Sequence, residues 1–257
     1  LGSGKLSKNI QFCLDSWMKV MPDWEIIRWD ESNFDTQKYP FVREALEKRK
    51  FAFAADIIRL IALRDVGGIY MDTDVQVIKD YSPYLTHSFC SSIEILFKDG
   101  WKNMEEELDE NGCLLSNGRK VGGIGLQAGF MYSEPNHPVI TGVLRDVYQN
   151  GKKHFVNPDG SFNEMIVDGM LMDYLHNYYG LKFRDHIQQL DDDICIYDSG
   201  VFSTNRTRTD RSCIIHNYEQ SWNQNNLKGK QWLIQAFKRN HPALYQRVIS
   251  IKNSLKR

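Results

Sequence analysis

The chain has 257 residues, 42% of them hydrophobic and 25% charged, the proportions of a globular protein with room for one substantial α/β domain. A formal net charge of -1 excludes a chain-wide basic surface for nucleic acid, and no apolar run reaches the roughly 20 residues of a membrane span. Five cysteines, odd in number, widely spaced and never in a CxxC pair, favour neither a disulfide framework nor a zinc ribbon and set the expectation of a reducing, cytoplasmic compartment.

In chain order, Ser7 is positioned to cap a helix in which Ile10, Leu14, Trp17 and Met21 recur at helical spacing, ended by Pro22-Asp23. The stretch WEIIRW, residues 24–29, reads as a short strand, followed by the polar loop DESNFD. Residues 51–65 read as a helix. Gly67-Gly68 supply the left-handed turn that ends it and start a strand, Ile69-Tyr70-Met71. From Lys98 to Lys120 the pattern dissolves into mixed charge with Gly and Asn, the composition of a surface loop or lid. The segment IGLQAGFMY resumes as strand. Asn136 is a candidate cap for a helix with Pro138 early in it and Ile140, Val143, Leu144 and Val147 on one face. A further helix is expected near Asp168 to Tyr178, and CIIHNY reads as a late strand. Alternating elements of this kind predict a mixed, mostly parallel sheet flanked by helices.

Chemistry concentrates between Phe51 and Val75. Asp56 and Arg59 lie at i and i+3 on one helical face. Read alone, they form a surface ion pair of little energetic weight. Asp72 and Asp74 follow the carboxyl end of a strand, the edge at which open α/β sheets bind ligands. Two carboxylates so close repel unless a cation sits beside them, and oxygen ligands suit magnesium or manganese completed by phosphate oxygens. The Asp-x-Asp triplet is weak evidence by itself, since Asp191 to Asp193 also satisfies it.

The combination is more specific. Ala-Asp56-x-x-Arg59, the turn Leu-x-x-x-Gly-Gly-x-Tyr and Asp72-x-Asp74-Val75 together resemble glycosyltransferase family 32, sugar transferases with a DXD motif, and more distantly the glucosylating domain of large clostridial toxins. LDSWMKVMPDWEIIRWDESNFD and the late HNYEQSW, His216 to Trp222, extend the likeness along much of the chain.

The resemblance implies a single GT-A domain over residues 1–225, with a strand before residue 1 whose terminal aromatic stacks on the nucleotide base. It implies that Asp74 binds a metal, Mn2+ or Mg2+, that Asp72 serves the metal or the ribose, and that His216 is a late metal ligand. Asp56 and Arg59 would hold donor-sugar hydroxyls, Ser221 and Trp222 would contact the diphosphate, and Gln127 would touch the donor sugar or the acceptor. Asp168-Gly169 departs from the family's Thr-Gly-Pro at that place, so no role follows for it.

The expected reaction moves a hexose from a nucleoside-diphosphate sugar, of UDP-glucose or UDP-galactose type, to a glycan, lipid-linked or protein-linked hydroxyl. Retention of configuration is implied by resemblance alone. An inverting enzyme would need a carboxylate base, and the sequence leaves Glu164, Asp168 and Asp191 to Asp193 all open. The alternatives are a haloacid-dehalogenase-type phosphatase with Asp72 as nucleophile and a non-catalytic nucleotide-sugar-binding protein.

From Asn226 onward there are eight Lys or Arg and no Asp or Glu. Residues 226–257 therefore predict one or two basic amphipathic helices, which either pack on the domain or meet the inner face of an anionic membrane.

Overall fold

A computed structural model describes residues 6–95, 108–113, 115, 123–149, 153–164, 166–218 and 229–255. Helix α1 (Lys8–Val20) starts where expected: the Ser7 side chain accepts from the Ile10 N–H at 3.2 Å, satisfying one of the four unpaired donors of a first turn. Helices α2 (Pro40–Glu47) and α3 (Phe51–Asp65) follow. Gly67 and Gly68 take φ of 72° and 85°. A Cβ on Gly67 would come within 2.6 Å of Pro135, so this turn needs glycine for both conformation and space.

The strands are β1 (Gly68–Met71), β2 (Val75–Val77), β3 (Phe89–Ile95), β4 (Ile124–Leu126), β5 (Phe130–Ser133), β6 (Gln188–Leu190), β7 (Ile194–Tyr197), β8 (Phe202–Thr204) and β9 (Ile214–His216). Helices α4 (Pro138–Gln149) and α5 (Val167–Tyr179) lie between β5 and β6, and α6 (Gly229–Asn240) and α7 (Pro242–Ser254) close the described chain. The larger sheet runs β1-β5-β3-β7-β6 with β4 also paired to β3, and the smaller runs β2-β9-β8.

The mixed α/β architecture is the expected one, but the described pairings are antiparallel apart from β3 with β7 and β8 with β9. The expectation of a mostly parallel sheet is corrected accordingly. Helical crossovers return a chain parallel to its start, whereas β4 and β5 both run back against β3.

Strand β3 is buried along its whole length. Phe89, Ile93 and Ile95 enter a core shared with α2 to α5, and Cys90 enters a second core shared with α1, β2 and β9. The period of two follows from the pleat.

Three local expectations change. Residues 25–29 form no strand with any described partner, and Ile26 and Ile27 remain exposed. IGLQAGFMY is broken into β4 and β5 by a turn at Ala128-Gly129. Asn136 does not cap α4: it adopts φ 59° and its N–H bonds the Arg64 carbonyl, while His137 Nδ1 accepts from the Val139 N–H at 3.2 Å. The proposed lid at 98–120 falls mostly outside the described residues, and Val147 belongs to α4. The cationic end of the chain forms two helices, of which α6 is tied down by a buried lysine. Lys238 Nζ donates to the Asn217 and Tyr218 carbonyls at 2.7 and 3.0 Å.

Candidate functional site

Strand β1 delivers the acid pair. Its ladder with β5 continues one residue further, the Asp72 N–H bonding the Gly129 carbonyl at 2.9 Å, and then a turn forms with the Val75 N–H on the Asp72 carbonyl. Thr73 and Asp74 therefore lie in a turn, not in extended backbone. Carboxylates two apart still converge, because the turn folds Asp74 back beside Asp72.

His216 arrives from the far end of the sequence. The β2–β9 register sets it opposite Val75, and the Asn217 N–H bonds the Asp74 carbonyl at 3.1 Å. Its Nε2 stands 3.5 Å from Asp74 Oδ1 and 3.8 Å from Asp72 Oδ2. One ligand atom from each of Asp72, Asp74 and His216 lies within 4.8 Å of the others. A hard divalent ion with bonds of about 2.1 Å places neighbouring ligands roughly 3 Å and opposite ligands roughly 4 Å apart, so the observed spacing fits one cation.

Beside this cluster, Arg59 binds the site together. Its Nη2 is 2.8 Å from Asp56 Oδ1 and 3.4 Å from Asp72 Oδ1, and its Nη1 donates to the Ala128 carbonyl at 2.7 Å. The guanidinium lies 4.6 Å over the Tyr70 ring, and the Tyr70 hydroxyl donates to Asp72 Oδ1 at 2.6 Å. What reads in the sequence as a surface ion pair is thus largely withdrawn from water, with Arg59 buried at 7% side-chain exposure and Asp56 partly buried at 17%. A pair removed from water in this way costs desolvation and is retained for what it positions.

The electrostatics follow from burial. Desolvation pushes the Asp56 carboxyl up to about 6, against the pull of Arg59. Burial opposes charge on Arg59 as well, but Asp72, Tyr70, Asp56 and Asp168 outweigh it and keep the guanidinium above its usual value. For His216 burial again opposes charge, while Asp74 and Glu94 more than offset it, so the imidazole sits well above its ordinary value. Burial, with Glu94 and Asp56 nearby, drives Asp168 well above the usual carboxylate range.

All these groups except Glu94 border one cleft of about 2870 Å³, whose walls also include Trp24, Ile26 and Ile27 and the α6 and α7 residues Leu233, Phe237 and Val248. A single small-ligand site occupies roughly 300–1,000 Å³, so the cleft has room for more than one small ligand.

The structure brings together Asp56, Arg59, Asp72, Asp74 and His216. Gln127 is fully buried behind the cluster, its Oε1 3.1 Å from His216 Nδ1. Ser221 and Trp222 lie outside the described residues. Of the candidate bases, Asp168 and Glu164 both border the cleft, and Glu164 pairs with Lys50 at 2.8 Å. Asp193 is taken by Ser88 at 2.7 Å, and Asp192 by Tyr179 at 2.9 Å.

Sequence reasoning missed Glu94 and Tyr70. A lone carboxylate in the otherwise uncharged FCSSIEI strand was the available signal for the first, and Tyr70 was read only as the tyrosine of the Gly-Gly-x-Tyr turn, with no role given to it.

Residues 7–90 match the family described as "Glycosyltransferase sugar-binding region containing DXD motif". The chain carries a DXD-type glycosyltransferase region. That region holds Asp56, Arg59, Asp72 and Asp74, and His216 joins it from outside. No curated protein matches the chain. Among solved structures, it is similar to one titled "PaToxG Glycosyltransferase", at 17% identity and a TM-score of 0.40. That likeness covers 68% of this chain and 66% of the other, just under two-thirds of its length.

Proposed function

We propose that this DXD glycosyltransferase moves a hexose from a nucleoside-diphosphate sugar, of UDP-glucose or UDP-galactose type, to a hydroxyl of a glycan, lipid-linked or protein-linked acceptor. The observation that carries the reading is the convergence of Asp72, Asp74 and His216 within 4.8 Å, beside the buried Asp56–Arg59 pair. Asp72, Asp74 and His216 would hold the cation. A nitrogen ligand among oxygens favours manganese over magnesium. When bound, the cation supplies charge that stabilises the departing diphosphate.

The protein's own groups do the rest. Arg59, fixed on three sides, presents a charge that does not titrate near neutrality. With Asp56 it offers hydroxyl-binding donors and acceptors next to the acid pair. Ser221 and Trp222 are proposed to contact the diphosphate, and Gln127 to act from behind His216. Transfer is proposed to proceed with retention, which needs no protein base.

A second reading rests on Asp168. This carboxylate borders the cleft, and burial holds it well above the usual carboxylate range, so it would have to give up its proton before it could act as base for an inverting transfer. The phosphatase alternative is disfavoured by the surroundings of Asp72, whose Oδ1 is already engaged by Tyr70 and Arg59.

No described helix is long and apolar enough to cross a membrane. The C-terminal segment 226–257 is instead proposed to rest on an anionic membrane face. Trp232, Leu233, Leu244, Val248 and Ile251 are exposed on α6 and α7, in a segment that carries Lys and Arg but no Asp or Glu, which suits interfacial binding.

The function is tested by screening nucleotide sugars for hydrolysis and transfer with and without Mn2+. Metal-dependent release of nucleoside diphosphate from one donor supports the reading, and its absence across all donors contradicts it. The anomeric configuration of the product, read by NMR, separates retention from the Asp168 route.

A further inference from the structure

Glu94 is a carboxylate in the middle of a fully buried strand, with its side chain 1% exposed. Burying such a group costs several kcal/mol unless it is compensated, so stability alone does not account for it. Its Oε1 lies 3.3 Å from His216 Nδ1. By the alternation of β3, Glu94 shares the face of Cys90 and Ser92, turned away from the core formed with α2 to α5. Across the ladder it stands opposite Gly125.

A second acceptor meets the same nitrogen. Gln127 Oε1 is 3.1 Å from His216 Nδ1 and also 3.1 Å from the Gly129 N–H. A backbone N–H can only donate, so the Gln127 atom facing it is the oxygen, and the amide nitrogen points elsewhere. Both neighbours of His216 Nδ1 are therefore acceptors, and Nδ1 must carry a hydrogen. The other ring nitrogen, Nε2, is the one directed at Asp72 and Asp74.

We propose that Glu94 is a positioning residue: its buried carboxylate takes the Nδ1–H of His216, fixing the ring and its tautomer so that the Nε2 lone pair is presented to the cation site. The inference rests on the metal reading given above and extends it to a residue outside the residues 7–90 of the glycosyltransferase region. Partners of this kind both orient a ligating imidazole and raise its basicity. The surroundings leave the ring little freedom. Tyr218 packs on it at 4.2 Å between centroids, and a Cβ on Gly129 would come within 2.9 Å of its Cε1.

The test uses the full chain, stripped of metal, as wild type, Glu94→Gln and Glu94→Leu. Mn2+ affinity is measured by electron paramagnetic resonance and fold by thermal melting. Glu94→Leu is expected to weaken Mn2+ by about 10- to 100-fold. Glu94→Gln, which keeps an acceptor without the charge, should weaken it less, and above the ring's titration, where the imidazole is neutral, neither variant should melt earlier without metal. Unchanged affinity in Glu94→Leu overturns the proposal, and so does a loss of affinity that only tracks a lower melting point.

Imidazole 15N shifts, recorded above the ring's titration, give a readout independent of metal. Wild type should show one tautomer with the proton on Nδ1, and Glu94→Leu a mixture. Identical spectra overturn the proposal. If wild type binds no Mn2+ at all, the metal reading falls, while these spectra still decide the part played by Glu94.

Discussion

Val75 and His216 stand opposite each other in the antiparallel β2–β9 pairing, and this register puts the imidazole one residue away from Asp74. Together with the Gly129 carbonyl that holds Asp72, it means that the acid pair and its histidine are placed by two different sheets. Anything that shifts one sheet against the other changes the site.

Gly129 lies where those sheets meet. Replacing it with alanine would bring a Cβ to 2.9 Å from His216 Cε1 and 3.0 Å from Gln127 Oε1. Overpacking of this kind costs about 1–3 kcal/mol. The expected outcome is a modestly lower melting temperature together with a Mn2+ affinity at least about tenfold weaker. Calorimetry and melting curves on Gly129→Ala check it, and unchanged metal binding would contradict the placement of His216.

Arg59 offers a sharper separation of binding from folding. Arg59→Lys keeps a charge but cannot reach Ala128, Asp56 and Asp72 together. A fall in kcat/KM of about 100-fold, equivalent to roughly 2.7 kcal/mol, is expected with the fold retained. Arg59→Ala strands Asp56 and Asp72 beside each other and should cost about 3–5 kcal/mol of stability. Steady-state kinetics and urea unfolding distinguish the two.

Asp56 makes stability depend on pH. Its carboxyl rises from 3.8 in the unfolded reference to about 6 in the fold, so the folded chain binds this proton more tightly than the unfolded chain does. Its contribution is therefore fully present below about 3.8 and is lost as pH climbs through about 6. Asp56→Asn should remove that slope. Melting curves of metal-free protein between about pH 4 and pH 6.5 should show wild type losing stability relative to the variant, and parallel curves would contradict this.

His216 has the same sign of linkage as Asp56 and adds a dependence on the metal. Its raised value favours the protonated imidazole in metal-free protein, so a cation must displace the proton. In metal-free protein the charged ring stabilises the fold below its ordinary value, and this contribution disappears as pH rises through the raised one. Mn2+ affinity should accordingly increase with pH from about 6.5 upward, and calorimetry over that range checks it. A flat profile would mean that His216 is not a ligand.

Much of this was legible in the sequence where the cause is local. Ser7, the helical spacing of α1 and α3 and the Gly67-Gly68 turn depend on neighbouring residues, and they appear as read. WEIIRW has the apolar content of a strand, but a strand exists only with a ladder partner, which no run of residues reveals. Asn136 lost the cap of α4 to His137 because its backbone turns to φ 59°, away from the extended conformation of a cap, with its N–H on the carbonyl of Arg64, a residue distant in sequence. Glu94 showed in the sequence only as a lone carboxylate in an uncharged strand, because its meaning lies in a histidine brought to it by β9.

The most direct measurement of the central claim is calorimetric titration of Mn2+ into the chain, with and without nucleoside diphosphate, for wild type and for Asp72→Asn/Asp74→Asn. The account predicts that wild type binds Mn2+ more tightly when the nucleotide is present, and that the double variant loses both the metal and the enhancement while keeping its fold. Equal Mn2+-assisted nucleotide affinity in the two proteins would contradict it.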